Sequence, residues 1–357
     1  MSGTVLFLGA GATKSVQGLS TDEILPALVA AKASLQQQDP SGRVNTLFDF
    51  LTQEFHVDPN NVDKYQYPGL PLLMSLIDTA LDRREPLYGR WSLNTLALLR
   101  EAIEFGIFDA LEENLVKVPT DNHFEMFQKF FPSPDQPCVI STNYDLIADS
   151  AMMFLSQIRQ APGSLPDYHC GIANLLPIGP EEKRFGTLLK LHGSLNWMLC
   201  KNCLRMELGK TDFRPYLAIL QTVAGPDLKS SLLSDGAQCP VCQSVLRPLL
   251  VAPSHLKDYR NPHLAQVWYE AQRVLRQASR VIFVGYSMPD DDVEVVYLVK
   301  RSLGHITSPK QITVVEYCAE NPQIPAAEHP VGRRYRTLFG DIDWHAGGLD
   351  QWFCTLP

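Results

Sequence analysis

The sequence predicts an α/β protein: a Rossmann-like, doubly wound parallel sheet carrying a helical insertion and a small four-cysteine module. Three observations predict it. Five short aliphatic runs lack the alternation of half-exposed strands. Glycine, small or polar residues follow each run. Two Cys-x2-Cys pairs lie in one later segment.

The five runs are Val5–Leu8, Cys138–Ile140, Leu188–Leu191, Val281–Val284 and Ile312–Val315. Continuous aliphatic runs of this length suit parallel strands covered on both faces. The first leads into Gly9-Ala10-Gly11-Ala12-Thr13, the second into Ser141-Thr142-Asn143-Tyr144-Asp145, and the third into His192-Gly193-Ser194. The fourth leads into Gly285-Tyr286-Ser287-Met288-Pro289 and the fifth into Glu316. Polar residues at the carboxyl ends of parallel strands mark the edge where open α/β sheets bind ligands.

The stretch between the first two strands is far longer than one crossover needs. Thr46–Phe55, Leu70–Leu81 and Trp91–Leu115 repeat apolar residues at helical spacing, so a helical insertion is expected. The expected boundaries are residues 1–20, 132–199 and 245–357 for the sheet domain, 21–131 for the insertion and 200–244 for the cysteine module. Ala161–Pro180 is rich in proline and glycine and reads as a long loop.

A chain of 357 residues with 45% hydrophobic and 20% charged residues has globular composition and room for a large core. Its net charge of -8 opposes a nucleic-acid-binding role, which wants a surplus of Lys and Arg. The N-terminus shows no basic segment and cleavage pattern of a secretory signal, and no apolar run approaches the length of a membrane span. A cytoplasmic location with reduced thiols is expected.

Cys200, Cys203, Cys239 and Cys242 form two knuckles separated by 35 residues. Four thiolates complete a tetrahedral zinc site and leave no position for substrate, so one structural zinc ion is expected. The segment Lys210–Ser234 must then loop out between the knuckles. Gly9, Ala10, Gly11, Ala12 and Thr13 read as a phosphate loop, in which small residues let backbone approach a pyrophosphate. Lys14 stands where the dinucleotide fingerprint has its third glycine, which disfavours a nicotinamide dehydrogenase.

The order of these motifs resembles that of sirtuins. Ser141–Asp145 is similar to the family's Thr-Gln-Asn-Ile-Asp stretch, and Leu191-His192-Gly193 to the motif carrying its catalytic histidine. Gly285-Tyr286-Ser287 resembles the Gly-Thr-Ser loop that contacts NAD, and Glu316 falls where the adenosine ribose is held. Gly285–Pro289 with the following Asp run, and Pro253-Ser254-His255-Leu256-Lys257-Asp258-Tyr259, are closest to bacterial SIR2-like proteins, many of them NAD-depleting effectors in antiviral defence. The sirtuin Gly-Ile-Pro-Asp-Phe-Arg segment is replaced here by Val16–Asp22. The Phe-Gly-Glu segment that holds an acyl-lysine strand is replaced by Val251-Ala252-Pro253-Ser254, whose proline lacks an N–H for strand pairing.

The resemblance implies NAD as substrate and assigns roles. His192 serves as general base toward a ribose hydroxyl or water, and Asn143 orients the ribose or water. Asp145 accepts from the nicotinamide carboxamide. Ser287 and the Gly285 backbone lie near a phosphate or ribose, with Tyr286 in the same loop, and Glu316 accepts from the adenosine ribose. The leading expectation is an NAD glycohydrolase releasing nicotinamide and ADP-ribose. The alternatives are an NAD-dependent protein-lysine deacylase, which needs an acylated protein substrate, and a non-catalytic NAD or ADP-ribose sensor. A toxic NADase needs restraint, so a homo-oligomer or a regulatory protein partner is expected, with no membrane. The acidic run Asp290–Asp292 reads as a helix N-terminus, and Trp197 and Trp268 as packing residues.

Overall fold

A computed structural model describes residues 3–16, 18–38, 42–58, 67–115, 121–132, 136–161, 165–173, 184–208, 238–304 and 311–355. The chain forms two compact units. One comprises Met1–Gly18, Lys117–Ser194 and Tyr259–Pro357; the other comprises Leu19–Val116 and Leu195–Asp258. The expected excursion Lys210–Ser234 and much of the loop Ala161–Pro180 lie outside the described residues.

The first unit is built on a six-stranded parallel sheet. Its strands are β1 (Thr4–Leu8), β2 (Cys138–Ser141), β3 (Thr187–Lys190), β7 (Arg280–Val284), β8 (Gln311–Val315) and β9 (Asp343–His345). Their spatial order is β3-β2-β1-β7-β8-β9, with every described pairing parallel. The chain winds outward from β1 to β3, returns to the centre at β7, and winds outward the other way. This is the doubly wound Rossmann order, and right-handed crossovers then put helices on both faces. Val5–Leu8, Val139, Ile140, Leu188, Leu189 and Val281–Val284 are all buried, as two covered faces require.

The five expected strands are present with ends shifted by one residue. The edge strand β9 was not expected: its three residues, Asp343, Trp344 and His345, contain no aliphatic run. The unit's helices are α6 (Asp121–Phe130), α7 (Ile147–Ile158), α8 (Pro262–Gln277), α9 (Val293–Leu303), α10 (Pro330–Phe339) and α11 (Gly348–Thr355). The sequence reading assigned α6 to the insertion, but it packs against α7 and α11 in the sheet unit. Its aromatic face explains this: Phe124 lies 4.3 Å from Phe154 and Phe130 stacks on Trp352 at 5.2 Å, measured between ring centroids.

Among the described residues, the second unit combines five helices with a three-stranded sheet. The helices are α1 (Thr21–Ala30), α2 (Lys32–Gln38), α3 (Arg43–Phe55), α4 (Leu70–Arg83) and α5 (Leu93–Leu115). Helix α5 is the hub and packs against α1, α3 and α4. Gly106 lets α1 close on it, since a Cβ there would meet Leu28 Cδ2 at 2.7 Å. Arg100 of α5 reaches Asp78 of α4 at 2.6 Å. The sheet has the order β5-β4-β6, from β4 (Gly193–Cys200), β5 (Met206–Leu208) and β6 (Leu246–Leu250). Among the described residues no helix is long and apolar enough to cross a membrane.

Candidate functional site

Five parallel strands end at one rim of the sheet unit. Leu8 is level with Ser141 on one side and Val284 on the other, Ser141 with Lys190, and Val284 with Val315. The residues just beyond these ends therefore form a row: His192, Asn143, Gly9, Gly285 and Glu316. Between Asn143 and Glu316 lie three strand intervals, about 14 Å. Two sugars and a pyrophosphate fit such a span. The order of strands reverses between β1 and β7, where open sheets form a ligand crevice.

At that reversal the two glycine loops press backbone on backbone. A Cβ on Gly9 would sit 2.6 Å from the Gly285 carbonyl oxygen, and one on Gly285, at φ +60°, would sit 2.1 Å from the Ala12 nitrogen. The Gly9 N–H donates to Val284 O at 3.0 Å and the Gly11 N–H to Gly285 O at 2.8 Å. These N–H groups were expected to face a pyrophosphate. They are instead spent on joining the loops, so the glycines permit close approach of protein to protein. Residues Ala10–Val16 form a 3-10 helix, and Thr13 Oγ1 donates to Ala10 O at 3.0 Å. From α6, His123 Nε2 donates to Ala12 O at 2.8 Å, and burial holds this imidazole below its usual pKa.

His192 and Asn143 are neighbours on the rim. His192 Nδ1 donates to the carbonyl of Thr142 at 3.1 Å, and Asn143 Nδ2 donates to the carbonyl of Gly9 at 3.0 Å. The carboxamide thus ties the second strand-end loop to the first. Asp145 is buried and accepts the Ile147 N–H at 2.9 Å through Oδ1, forming a turn across Leu146, the N-cap of α7. Burial pushes its carboxyl group up, against the pull of Lys190. Glu316 is likewise raised by burial, and its Oε1 accepts the Tyr317 N–H at 3.0 Å. Ser287 is half-buried and its carbonyl accepts from Arg334 at 3.1 Å.

Tyr286 departs from its expected role. Its ring is in the core, 5.0 Å from Phe7, and its hydroxyl donates to Asp292 Oδ2 at 3.1 Å. Packing on the central strand wins over exposure at the rim.

A buried ammonium lies beneath the His192 and Asn143 loops. Lys190 is fully buried, and its Nζ donates to Ser194 Oγ at 2.6 Å, Asp149 Oδ2 at 3.1 Å and the carbonyls of Tyr144 and Asp145. Tyr168 donates to the other oxygen of Asp149. One ion pair therefore holds the turn after β3 and the loop after β2 together. Trp268 of α8 adds an anchor, its indole N–H donating to Leu191 O at 3.0 Å.

No protein-family model and no curated protein matches the chain. Solved structures do. The chain is similar to a Sir2 homologue variant in complex with ADP-ribose, at 14% identity and a TM-score of 0.45, over 98% of this chain and 88% of that one. It is similar to Sir2 with a p53 peptide and NAD+, at 15% identity and a TM-score of 0.40, over 94% and 92%. A third match is to a structure concerned with the mechanism and regulation of Sir2 enzymes, at 12% identity and a TM-score of 0.38, over 98% and 88%.

The side chain that sequence reasoning missed is Asp292. It precedes α9 but bonds none of that helix's N–H groups through its side chain. It is buried, and its Oδ1 lies 3.4 Å from His192 Nε2. The two residues are far apart in the chain, and the Asp290–Asp292 run carries no spacing signal that relates it to His192.

In the second unit, the sulfur atoms of Cys200, Cys203, Cys239 and Cys242 all lie within 4.8 Å of one another. Sγ of Cys200 is 3.4 Å from that of Cys242, and Sγ of Cys203 is 3.6 Å from that of Cys239. Tetrahedral zinc with thiolate bonds of about 2.3 Å separates its sulfurs by about 3.8 Å, so the donor set fits that ion. The knuckles repeat each other's backbone. Leu204 N–H donates to Cys200 O and Gln243 N–H to Cys239 O, both at 2.9 Å, with φ of 60° at Leu204 and Gln243. The cysteines were expected to bind metal, and the geometry brings all four to one point.

Proposed function

We propose that this protein hydrolyses NAD at the nicotinamide–ribose bond. The observation that carries the reading is the adjacency of His192 and Asn143 on one rim, beside the crossover of the β1 and β7 loops. Those two residue types occur in the motifs that resemble the sirtuin NAD site. A dinucleotide along the row would present its nicotinamide ribose to His192 and Asn143 and its adenosine ribose to Glu316. Water attacks C1′ as the C1′–nitrogen bond breaks, the bonding electrons leave with nicotinamide, and the water proton passes to imidazole. The products are nicotinamide, ADP-ribose and one proton.

Hydrolysis is favoured over peptide deacylation by β6. This strand ends its three-stranded sheet and contains Pro248, with Pro253 shortly after. Proline removes N–H groups that an added peptide strand would pair with. The cysteine module is the feature that a deacylase would share. Mass spectrometry of NAD incubated with the purified protein, with and without an acylated lysine peptide, separates the readings. Nicotinamide and ADP-ribose should form without peptide and be lost in His192→Ala and Asn143→Ala. Acyl-ADP-ribose formed only with peptide would assign deacylation, and nucleotide binding with no product would assign a sensor. The resemblance to bacterial SIR2-like proteins adds a role in antiviral defence to this proposal: cellular NAD should fall on phage infection with the wild-type chain and not with Asn143→Ala.

A further inference from the structure

We propose that Asp292 is the carboxylate partner of His192, and that the two act as one proton-holding pair set by Tyr286. The evidence is a chain of contacts across the rim. The Thr142 carbonyl can only accept, so the proton on Nδ1 of His192 is fixed there. Nε2 is then the nitrogen that exchanges its proton, and it faces Asp292 Oδ1 at 3.4 Å. Both side chains are almost fully buried, with 7% and 6% of their surface exposed. A bare lone pair opposite a buried carboxylate is unfavourable, and a proton on Nε2 turns the contact into an attraction.

The carboxylate is itself held in place. Tyr286 donates to its second oxygen at 3.1 Å, and Tyr335 donates to the Tyr286 carbonyl at 2.7 Å. Among the described residues, two phenols stand beside the imidazole. Tyr144 and Tyr259 lie 6.3 and 6.1 Å from the imidazole, between ring centroids. Burial raises Tyr259 and Tyr286, with added effect from Asp292, so both are neutral where histidine titrates. Asp291 and Glu294 add negative charge felt at Tyr259, and the Lys190 ammonium is matched by Asp149. These negative charges favour the imidazole's cation, against the desolvation that burial imposes on it.

The consequence for turnover rests on the NAD-hydrolase reading. The loaded pair cannot accept a proton. The unloaded pair takes one from water as the C1′–oxygen bond forms and releases it to solvent after nicotinamide leaves. An ordinary histidine titrates near pH 6.5, and a close opposite charge shifts such a group by one unit or more. Asp292 is a positioning residue here, because it acts through His192.

The test is an NMR titration of histidine Cε1 signals in the full chain, with His192 assigned by loss of its signal in His192→Gln. Its pKa should fall by about one unit from the wild type to Asp292→Asn. Tyr286→Phe strips a donor from the carboxylate and should move the value the other way, by a few tenths. An unchanged pKa in folded Asp292→Asn overturns the pairing. Should Asp292→Asn not fold, Tyr286→Phe decides, and a fall or no shift overturns it. The titration needs no turnover, so an enzyme that leaves NAD intact sinks the hydrolase reading and not the pair. If NAD is consumed, the acid limb of its pH profile must move down with the His192 pKa in Asp292→Asn.

Discussion

Replacing Lys190 by Met tests what holds the site's two loops together. The side chains have similar length, so the change removes charge more than volume. It strands Asp149, whose side chain is 3% exposed, with only Tyr168 as a described partner. It also takes a donor from Ser194 and from the carbonyls of Tyr144 and Asp145. Breaking a buried ion pair from one side costs about 3–5 kcal/mol, mostly from the charge left without its partner. Asp149→Asn removes that charge while leaving Tyr168 an acceptor. The double variant should therefore be more stable than the sum of the singles by about 2 kcal/mol. Hydrogen exchange by mass spectrometry on peptides covering β2 and β3 measures the opening free energy. NAD turnover should fall with it, because the His192 turn and the Asn143 loop lose their common anchor. Losses that add to within about 0.5 kcal/mol would refute the argument, since unlinked sites behave that way.

Gly285→Ala should abolish folding of the sheet unit or its nucleotide binding, because the new Cβ meets backbone at 2.1 Å. Gly89→Ala also places Ala at positive φ but meets nothing within 4 Å, so it should cost only about 1–2 kcal/mol, and thermal melts compare the two. Purified protein should hold one zinc per chain by elemental analysis, and Cys203→Ser should lose it and melt at lower temperature; a metal-free wild type with the same melting point would refute a structural role. His123 is 2% exposed with its pKa lowered by burial, so the unfolded chain binds one more proton below about pH 6.5. Its contribution to stability is complete above that pH and is lost, at up to about 1.4 kcal/mol per unit, as the pH falls toward the lowered folded value. In His123→Gln, urea midpoints between pH 7.5 and 5.5 should slope less than in the wild type.

What the sequence makes legible follows from how local each determinant is. β1, β2, β3, β7 and β8 are written as aliphatic runs because both faces are covered, and the polar residues after them fall at one rim because the strands are parallel. β9 is half-exposed at the edge and needs no aliphatic run, so nothing in Asp343–His345 announces it. Helix α1 did carry a signal: Ser20 and Glu23 form a capping box, the Glu23 carboxylate accepting the Ser20 N–H at 2.7 Å. The cysteine cluster was legible because both knuckles repeat one spacing. The Lys190–Asp149 and His192–Asp292 contacts were not, since each joins elements that only the folded topology brings together.

Two acids ahead of helices show why residue type alone does not assign a role. Asp292 stands at the N-cap of α9, where an acid commonly caps the first turn, and Asp145 stands one residue ahead of Leu146, the N-cap of α7. Asp145 bonds the N–H of Ile147, the first residue of its helix. Asp292 makes no side-chain bond to its helix; its oxygens go to Tyr286 and toward His192. A cap worth about 1 kcal/mol is thus forgone at α9. On the proposed pairing, what offsets the loss is attraction to a buried imidazole once that ring is protonated. Restoring the cap would require Asp292 to turn away from His192 and leave the Tyr286 hydroxyl buried with one acceptor fewer. The side chain stays where it accepts from the phenol and faces the imidazole, which is the placement the proposed pairing needs.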